Sequence, residues 1–375
     1  MGTTTEHQQP STSRGTIAFR AMSCCAILSI GVFSNLPINL QDSAASVSQS
    51  LRGGSSTAKP TTMFVLPANE TDYAGFHDNE TNKDEIALDF YVAGFPKCGT
   101  TTLLRTFAQH EETVVPSMEE CSLDVVFQDD YAYTRLQQNL KEATNRTDPN
   151  LKRGIKCPFG LTTAKGIERL EDWFPSTKLI FGVRHPVFFF QSFYNYRILE
   201  VNQGKQQGPI PSPESLIGSV DWIRVSTDNA RFERVLAKLG KTAASKEPST
   251  PFKVFLYTLE QMEDDDEERG AQLRKTLGDF LDLKKPIEPL EASNINTYVG
   301  NKGFPETIDI CDTKHDALRN VLVENGKKTQ EWILNEFIKS PDVTVANEIH
   351  FAKIISDWGF DPCNATKESV VEKKP

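Results

Sequence analysis

Residues 86 to 110 read IALDFYVAGFPKCGTTTLLRTFAQH, and the change of character halfway along them decides the fold. The first ten residues are apolar, dense in β-formers and end at Pro96, the pattern of a buried strand. From Gly99 onward three threonines lead into Leu103, Leu104 and Phe107 at helical spacing. The order is therefore strand, tight glycine loop, helix. At the start of such a helix unpaired N–H groups point outward and the helix dipole is positive, which suits a phosphate group. Thr100, Thr101 and Thr102 add hydroxyl donors there, and Lys97 adds a positive charge.

Gly94 and Gly99 have the interval of the triphosphatase loop GxxxxGK[ST], but the lysine stands elsewhere. That loop needs Lys directly after the second glycine to reach the β- and γ-phosphates, whereas here Thr100 holds that place and Lys97 precedes the glycine. Such a loop still cradles a terminal phosphate. Further on, LIFGV (residues 179 to 183) is a second buried-strand run, closed by Arg184, His185 and Pro186. An arginine at the carboxyl end of a parallel strand sits where open α/β sheets bind ligands, and its fork matches a phosphate. The expected fold is a three-layer, P-loop-like α/β sandwich around a central, mostly parallel sheet.

Taken together, these segments resemble those of sulfotransferases that use 3′-phosphoadenosine 5′-phosphosulfate (PAPS), the Golgi carbohydrate or heparan-type members in particular. PKCGTTTL resembles their 5′-phosphosulfate loop, and RHPVFFFQSFYNYR their 3′-phosphate motif, in which a Ser follows an Arg by eight residues, as Ser192 follows Arg184. KVFLYTLEQM and LRKTLGDFLDL are similar to a later strand and helix of the same domain, so the resemblance spans residues 86 to 290. It implies a donor site made by Lys97, Cys98, Gly99, Thr100, Thr101, Thr102, Arg184 and Ser192, with PAPS as co-substrate and no metal required. Lys97 would stabilise the leaving phosphate oxygen. VVPSMEECSLDVVF (residues 114 to 127) resembles the segment that carries the family's catalytic Glu. Glu120 is the expected base by its offset to the apolar residues that follow, with Glu119 the alternative. RGIKCPFG (residues 153 to 160) resembles a Lys-Thr-Pro segment, which makes Lys156 a second catalytic cation. Phe189 stands where many members carry a further Arg, and His110 is read as a structural, helix-ending residue. Lys302 and Gly303 loosely resemble a loop that closes over the nucleotide. The other readings are a nucleotide kinase, tested by magnesium-dependent ATP hydrolysis, and a lumenal nucleotide-binding protein without a working base.

Composition sets the remaining bounds. The chain has 375 residues and a formal charge of −10, with 38% hydrophobic and 25% charged residues, which is an ordinary globular balance. Its acidity argues against a dedicated nucleic-acid binder and gives no encouragement to a highly sulfated acceptor; the expected acceptor is a hydroxyl, on a carbohydrate. Residues 1 to 40 hold a basic flank and an uncharged run, AMSCCAILSIGVF (residues 21 to 33), and read as a signal peptide or signal anchor. Membrane contact is expected only through that segment, with a type II orientation in the Golgi lumen or, if cleaved, secretion. Residues 41 to 85 read as a flexible stem, 86 to 363 as the sulfotransferase domain and 364 to 375 as a tail. Sequons at Asn69, Asn79, Asn145 and Asn364 point to the same compartment. So do Cys121, Cys157, Cys311 and Cys363, which allow two bridges in three pairings, with Cys311 and Cys363 the favoured pair and a Cys121–Cys157 bridge pinning the base loop to the lysine loop. Residues 197 to 224 read as a long loop, Glu260 to Glu268 as a solvated acidic loop, and the C-terminal region as helices covering the sheet.

Overall fold

The computed structural model describes residues 86–124, 128–143, 148, 150–161, 164–205, 210–217, 252–289 and 307–364. The apolar N-terminal run, the stem, the C-terminal tail beyond 364, the sequons at Asn69, Asn79 and Asn145, and the loop at Lys302 and Gly303 lie outside the described residues. Among the described residues no helix is long and apolar enough to cross a membrane.

The run at 86 to 95 forms β1 (Phe90–Gly94), and all five of its residues are buried. A strand covered on both faces needs apolar residues at every position rather than at alternate ones, and FYVAG meets that need. The other strands are β2 (Thr113–Val114), β3 (Lys152–Lys156), β4 (Lys178–Val183), β5 (Val254–Thr258) and β6 (Val343–Val345). They form one sheet in the order β2-β3-β1-β4-β5-β6, with every neighbouring pair parallel.

Parallel neighbours require crossovers, and helices supply them: α1 (Thr100–Gln109), α2 (Asp129–Ala143), α3 (Ala164–Trp173), α4 (Pro186–Asn202), α5 (Leu259–Met262), α6 (Glu267–Phe280), α7 (Asp316–Asn335) and α8 (Glu348–Ser356). The pleat divides β1 between two cores. Tyr91 and Ala93 face Leu136, Leu140, Leu170 and Phe189 from α2, α3 and α4, together with Ile333 of α7 and Ile355 of α8. Phe90 and Val92 face Leu103 and Phe107 of α1 and Leu273 and Leu277 of α6. Each such side chain removed from water contributes about 1.5–3 kcal/mol. The three expected layers are thus helix, sheet, helix. A further cluster packs the outer side of α4 (Val187, Phe190, Tyr194, Ile198) against Leu318 and Leu322 of α7, so α4 is apolar almost all round because two cores claim it.

Three sequence expectations change. The helix begun at Pro186 runs to Asn202, five residues past the expected start of a loop at 197, because Ile198 is buried in the outer cluster and Glu200 accepts hydrogen bonds from Tyr196 and Arg197 within the last turns. The acidic stretch is only in part a solvated loop: Glu263 and Asp265 are exposed between α5 and α6, but Glu260 lies in α5 and accepts from the His185 N–H at 3.0 Å, while Asp264 pairs with Arg269 and His350. The C-terminal region adds β6 to the helices, a half-buried edge strand too short to stand out in the sequence. Both cystines are present, Cys311–Cys363 and Cys121–Cys157.

The topology fixes where a ligand belongs. From β1 the chain steps out to β2 and returns through β3 on one side of β1, then crosses to β4 on the other. The crevice beyond the carboxyl ends of the strands, at that reversal, is the ligand position of open parallel sheets. The loop after β1, Lys156 at the end of β3 and Arg184 directly after β4 all lie at that end.

Candidate active site

The loop between β1 and α1 is held from beneath by the sheet. Phe95 N–H donates to the Gly182 carbonyl at 2.8 Å, and the Tyr257 hydroxyl of β5 donates to the Cys98 carbonyl at 2.7 Å. Gly182 leaves room for this contact: a Cβ there would lie 2.3 Å from Tyr257 Oη and 2.8 Å from the Cys98 oxygen. Within the loop Lys97 and Gly99 both take left-handed backbone, with φ of 65° and 79°. Glycine adopts that region freely, whereas for Lys97 it costs about 1 kcal/mol. Gly99 is the N-cap of α1 with no side-chain cap, and the first intrahelical bond runs from Leu103 N–H to its carbonyl. The N–H groups of Thr100, Thr101 and Thr102 therefore have no intrahelical acceptor and form the positive end of the helix dipole.

Cations gather around this helix start. Lys97 is half-buried, its Nζ 4.4 Å from the centre of the Tyr196 ring. Burial, and after it the Arg184 guanidinium, lower its pKa to about 8; Lys156 pushes the same way, and Cys98 and Glu200 oppose. Arg184 and Lys156 thus both lie close enough to Lys97 to repel its charge, in a protein whose net charge is −10. Arg184 is set by its neighbour: His185 caps α4 through Nδ1, which accepts from Val187 N–H at 3.3 Å, and its own N–H is held by Glu260. Burial pushes the Glu260 carboxyl up, with the His185 N–H and Arg184 acting against it. Ser192 is buried on α4 two turns after Arg184. Phe189 stacks on Phe193 in the core, so this position belongs to packing.

The two candidate carboxylates face different ways. Glu119 Oε1 lies 2.5 Å from Lys156 Nζ, which also donates to Thr101 Oγ1 at 3.1 Å. This joins the carboxylate, the second cation and the helix start into one chain of contacts. Lys156 is almost wholly enclosed, with 3% of its side chain exposed, while Glu119 keeps 34% of its side chain open to solvent. Glu120 turns inward: it is buried, one carboxylate oxygen accepts from Ser122 N–H at 2.7 Å, and the other accepts from the Asn139 amide. Its own N–H donates to the Lys156 carbonyl at 2.9 Å, and the Cys121–Cys157 cystine closes the same junction one residue further on. His110 ends α1 at its far end, where it meets Glu112 N–H and the Lys285 carbonyl.

Two residues at the site escaped the sequence reading. Tyr196 and Glu200 lie one helical turn apart near the end of α4, hydrogen-bonded at 2.7 Å, with Tyr196 against Lys97. Their i, i+4 spacing in YNYRILE was a readable signal once the helix is carried past residue 197.

No family model matches the chain, and no curated protein matches it. Among solved structures it is similar to a sulfotransferase from Alicyclobacillus acidocaldarius, at 17% identity over 67% of this chain and 97% of that one, with a TM-score of 0.45. It is also similar to the sulfotransferase domain from the curacin biosynthetic pathway, at 17% identity over 65% and 92% of the two chains and a TM-score of 0.36. A third likeness is to mouse sulfotransferase SULT7A1 complexed with PAP, at 12% identity over 76% and 82%, with a TM-score of 0.32.

Proposed function

We propose that the protein transfers a sulfuryl group from PAPS to an acceptor hydroxyl on a carbohydrate. The observation that carries this reading is the crowding of positive charge beside the capless start of α1, where Lys156 donates to Thr101 Oγ1 and Lys97 is repelled by both Arg184 and Lys156, a setting that favours a multiply negative ligand. The loop lacks the lysine after its second glycine that triphosphate chemistry requires, and the Arg184–Ser192 interval supplies a place for a second phosphate.

The residues divide the work by their geometry. The N–H groups of Thr100 to Thr102 and the hydroxyls of Thr100 and Thr101 hold the 5′ end of the donor; Cys98 and Gly99 shape the loop, and Arg184 with Ser192 holds the 3′-phosphate. The donor supplies a phosphosulfate anhydride whose sulfur–oxygen bond breaks as the bond to the acceptor oxygen forms. Lys97 neutralises the charge that gathers on the leaving phosphate oxygen. The role of general base passes from Glu120, the sequence expectation, to Glu119: Glu120 is sealed in by Ser122 and Asn139, whereas Glu119 is reachable by an acceptor and oriented by Lys156. Glu119 Oε takes the proton of the acceptor hydroxyl, and Lys156 stabilises the sulfuryl oxygens. The setting belongs to the same proposal: the Golgi lumen, with the chain anchored through residues 1 to 40, is supported by the two cystines and the sequons.

Thermal unfolding of the purified protein tests the donor site. At about 100 times its Kd, 3′-phosphoadenosine 5′-phosphate adds roughly 2.7 kcal/mol of stability, and Arg184→Ala cuts the gain to roughly 0.4–1.4 kcal/mol at the same ligand concentration. Stabilisation by magnesium-ATP alone would replace the reading with a kinase, and no response to either would leave the loop a structural cap.

A further inference from the structure

Tyr196 joins the two charged ends of a short array. Its ring carries the Lys97 ammonium at 4.4 Å from the centroid, and its hydroxyl donates to Glu200 Oε1 at 2.7 Å. The second carboxylate oxygen of Glu200 accepts from Arg197 Nη1 at 2.7 Å, so the buried Glu200 is fixed from two sides on its own helix. An aromatic face attracts a cation through its quadrupole, more strongly where water is thin. A hydroxyl that donates to a carboxylate makes the ring a better electron source still.

We propose that Tyr196 is a positioning residue for Lys97, its ring held through the hydroxyl on Glu200 so that the lysine stays over the loop and stays charged. The consequence for catalysis rests on the sulfuryl-transfer reading; the contact itself does not. The charged and titratable groups that face Lys97 come from four elements. Arg184 after β4 and Lys156 at the end of β3 oppose its charge, as does burial; Cys98 in its own loop and Glu200 on α4 favour it. Their balance leaves Lys97 with a pKa of about 8, close to the working range. Only the ammonium form neutralises a leaving oxygen, so loss of the ring or of the Glu200 charge lowers the fraction of competent enzyme as pH rises.

The test reads the lysine directly. The full chain is exposed to trace acetic anhydride across a pH series, and acetylation of Lys97 is followed by peptide mass spectrometry, for wild type, Tyr196→Leu, Tyr196→Phe and Glu200→Gln. The Lys97 midpoint is expected to fall by about half to one pH unit in Tyr196→Leu and Glu200→Gln, and by less in Tyr196→Phe, which keeps the ring. The alkaline limb of kcat moves by the same interval, with the KM for the donor little changed. Should Tyr196→Leu not fold, Glu200→Gln and Tyr196→Phe decide. An unmoved Lys97 midpoint in the folded variants overturns the inference even if the enzyme transfers sulfuryl groups. A midpoint that falls in a protein without transfer activity upholds the array and removes the catalytic reading instead.

Discussion

Replacing Glu119 and Glu120 by glutamine, one at a time, sets adjacent residues of similar chemistry against each other. Losing one partner of a wholly buried ion pair costs about 3–5 kcal/mol, but Glu119 is one-third open to water and a glutamine oxygen still accepts from Lys156, so the stability cost of Glu119→Gln is about 1 kcal/mol. Its effect on rate is far larger, because the amide takes no proton: kcat falls on the order of 10²- to 10⁴-fold. Glu120→Gln acts in the opposite sense. Both Glu120 oxygens are acceptors, for Ser122 N–H and the Asn139 amide, and the new NH₂ turns a donor toward one of them. A hydrogen bond to a charged group contributes about 1.5–3 kcal/mol and the orphaned donor adds to the loss, so unfolding shifts down by roughly 5–10 °C. The assay pairs calorimetry with release of 3′-phosphoadenosine 5′-phosphate from the donor in the presence of a carbohydrate acceptor, at a temperature where both variants are folded. A Glu120→Gln enzyme that is stable but dead, beside a Glu119→Gln enzyme that works, would refute the assignment.

Lys97→Ala lowers kcat by about 10²- to 10³-fold with little change in donor affinity, while Arg184→Ala weakens binding of the bisphosphate by roughly 10- to 100-fold, the worth of one charged hydrogen bond; calorimetric titration and rate measurements separate the two, and wild-type behaviour in both removes the site. Gly182→Ala drives a methyl group into Tyr257 Oη and the Cys98 carbonyl, and the denaturant midpoint should fall by the equivalent of about 1–3 kcal/mol. His185 is held neutral by burial, its pKa lowered from 6.5 to about 4. The unfolded chain takes up that proton first, so the stability it supports is complete above pH 6.5 and is lost as pH falls toward 4, by up to roughly 3 kcal/mol. His185→Asn keeps a helix cap and removes the titration, and its stability between those pH values should be flatter; an unchanged slope counts against a buried neutral imidazole.

The fold was legible wherever burial demanded a continuous apolar run. FYVAG and LIFGV, short, apolar and rich in β-formers, read as buried strands, and the glycine that ends the first loop marked the helix start. Edge strands carry no such demand. Thr113–Val114 and Val343–Val345 are short, and the second is only half-buried, so their composition does not distinguish them from loop. At the candidate site, Lys156 meets Thr101, and Lys97 lies near both Lys156 and Arg184, a grouping that motif spacing could anticipate. Glu119 and Glu120 could not be separated that way, because the choice hangs on which carboxylate turns toward Asn139, nineteen residues away, and which toward Lys156. Glu200 was hidden by the reading of a loop from residue 197, and Tyr196, one residue before it, was thereby separated from the partner four residues on that fixes it.

The position of β1 at the middle of the sheet bears on how the chain is made. β1 is the earliest described strand to leave the ribosome, yet both of its partners follow far behind it: Phe90 pairs with Gly154 on one side and Lys178 on the other. At a synthesis rate of about 5–20 residues per second, its two hydrogen-bonding edges wait roughly 3–18 s for the strands that satisfy them. An apolar strand with two open edges is a template for pairing with another nascent chain, and parallel pairing across such separations is slow even once the partners exist. Production of this protein is therefore governed by what shields residues 90 to 94 during that interval, and slowing translation between β1 and β3 should lower the yield of folded protein more than the same pause placed after β5.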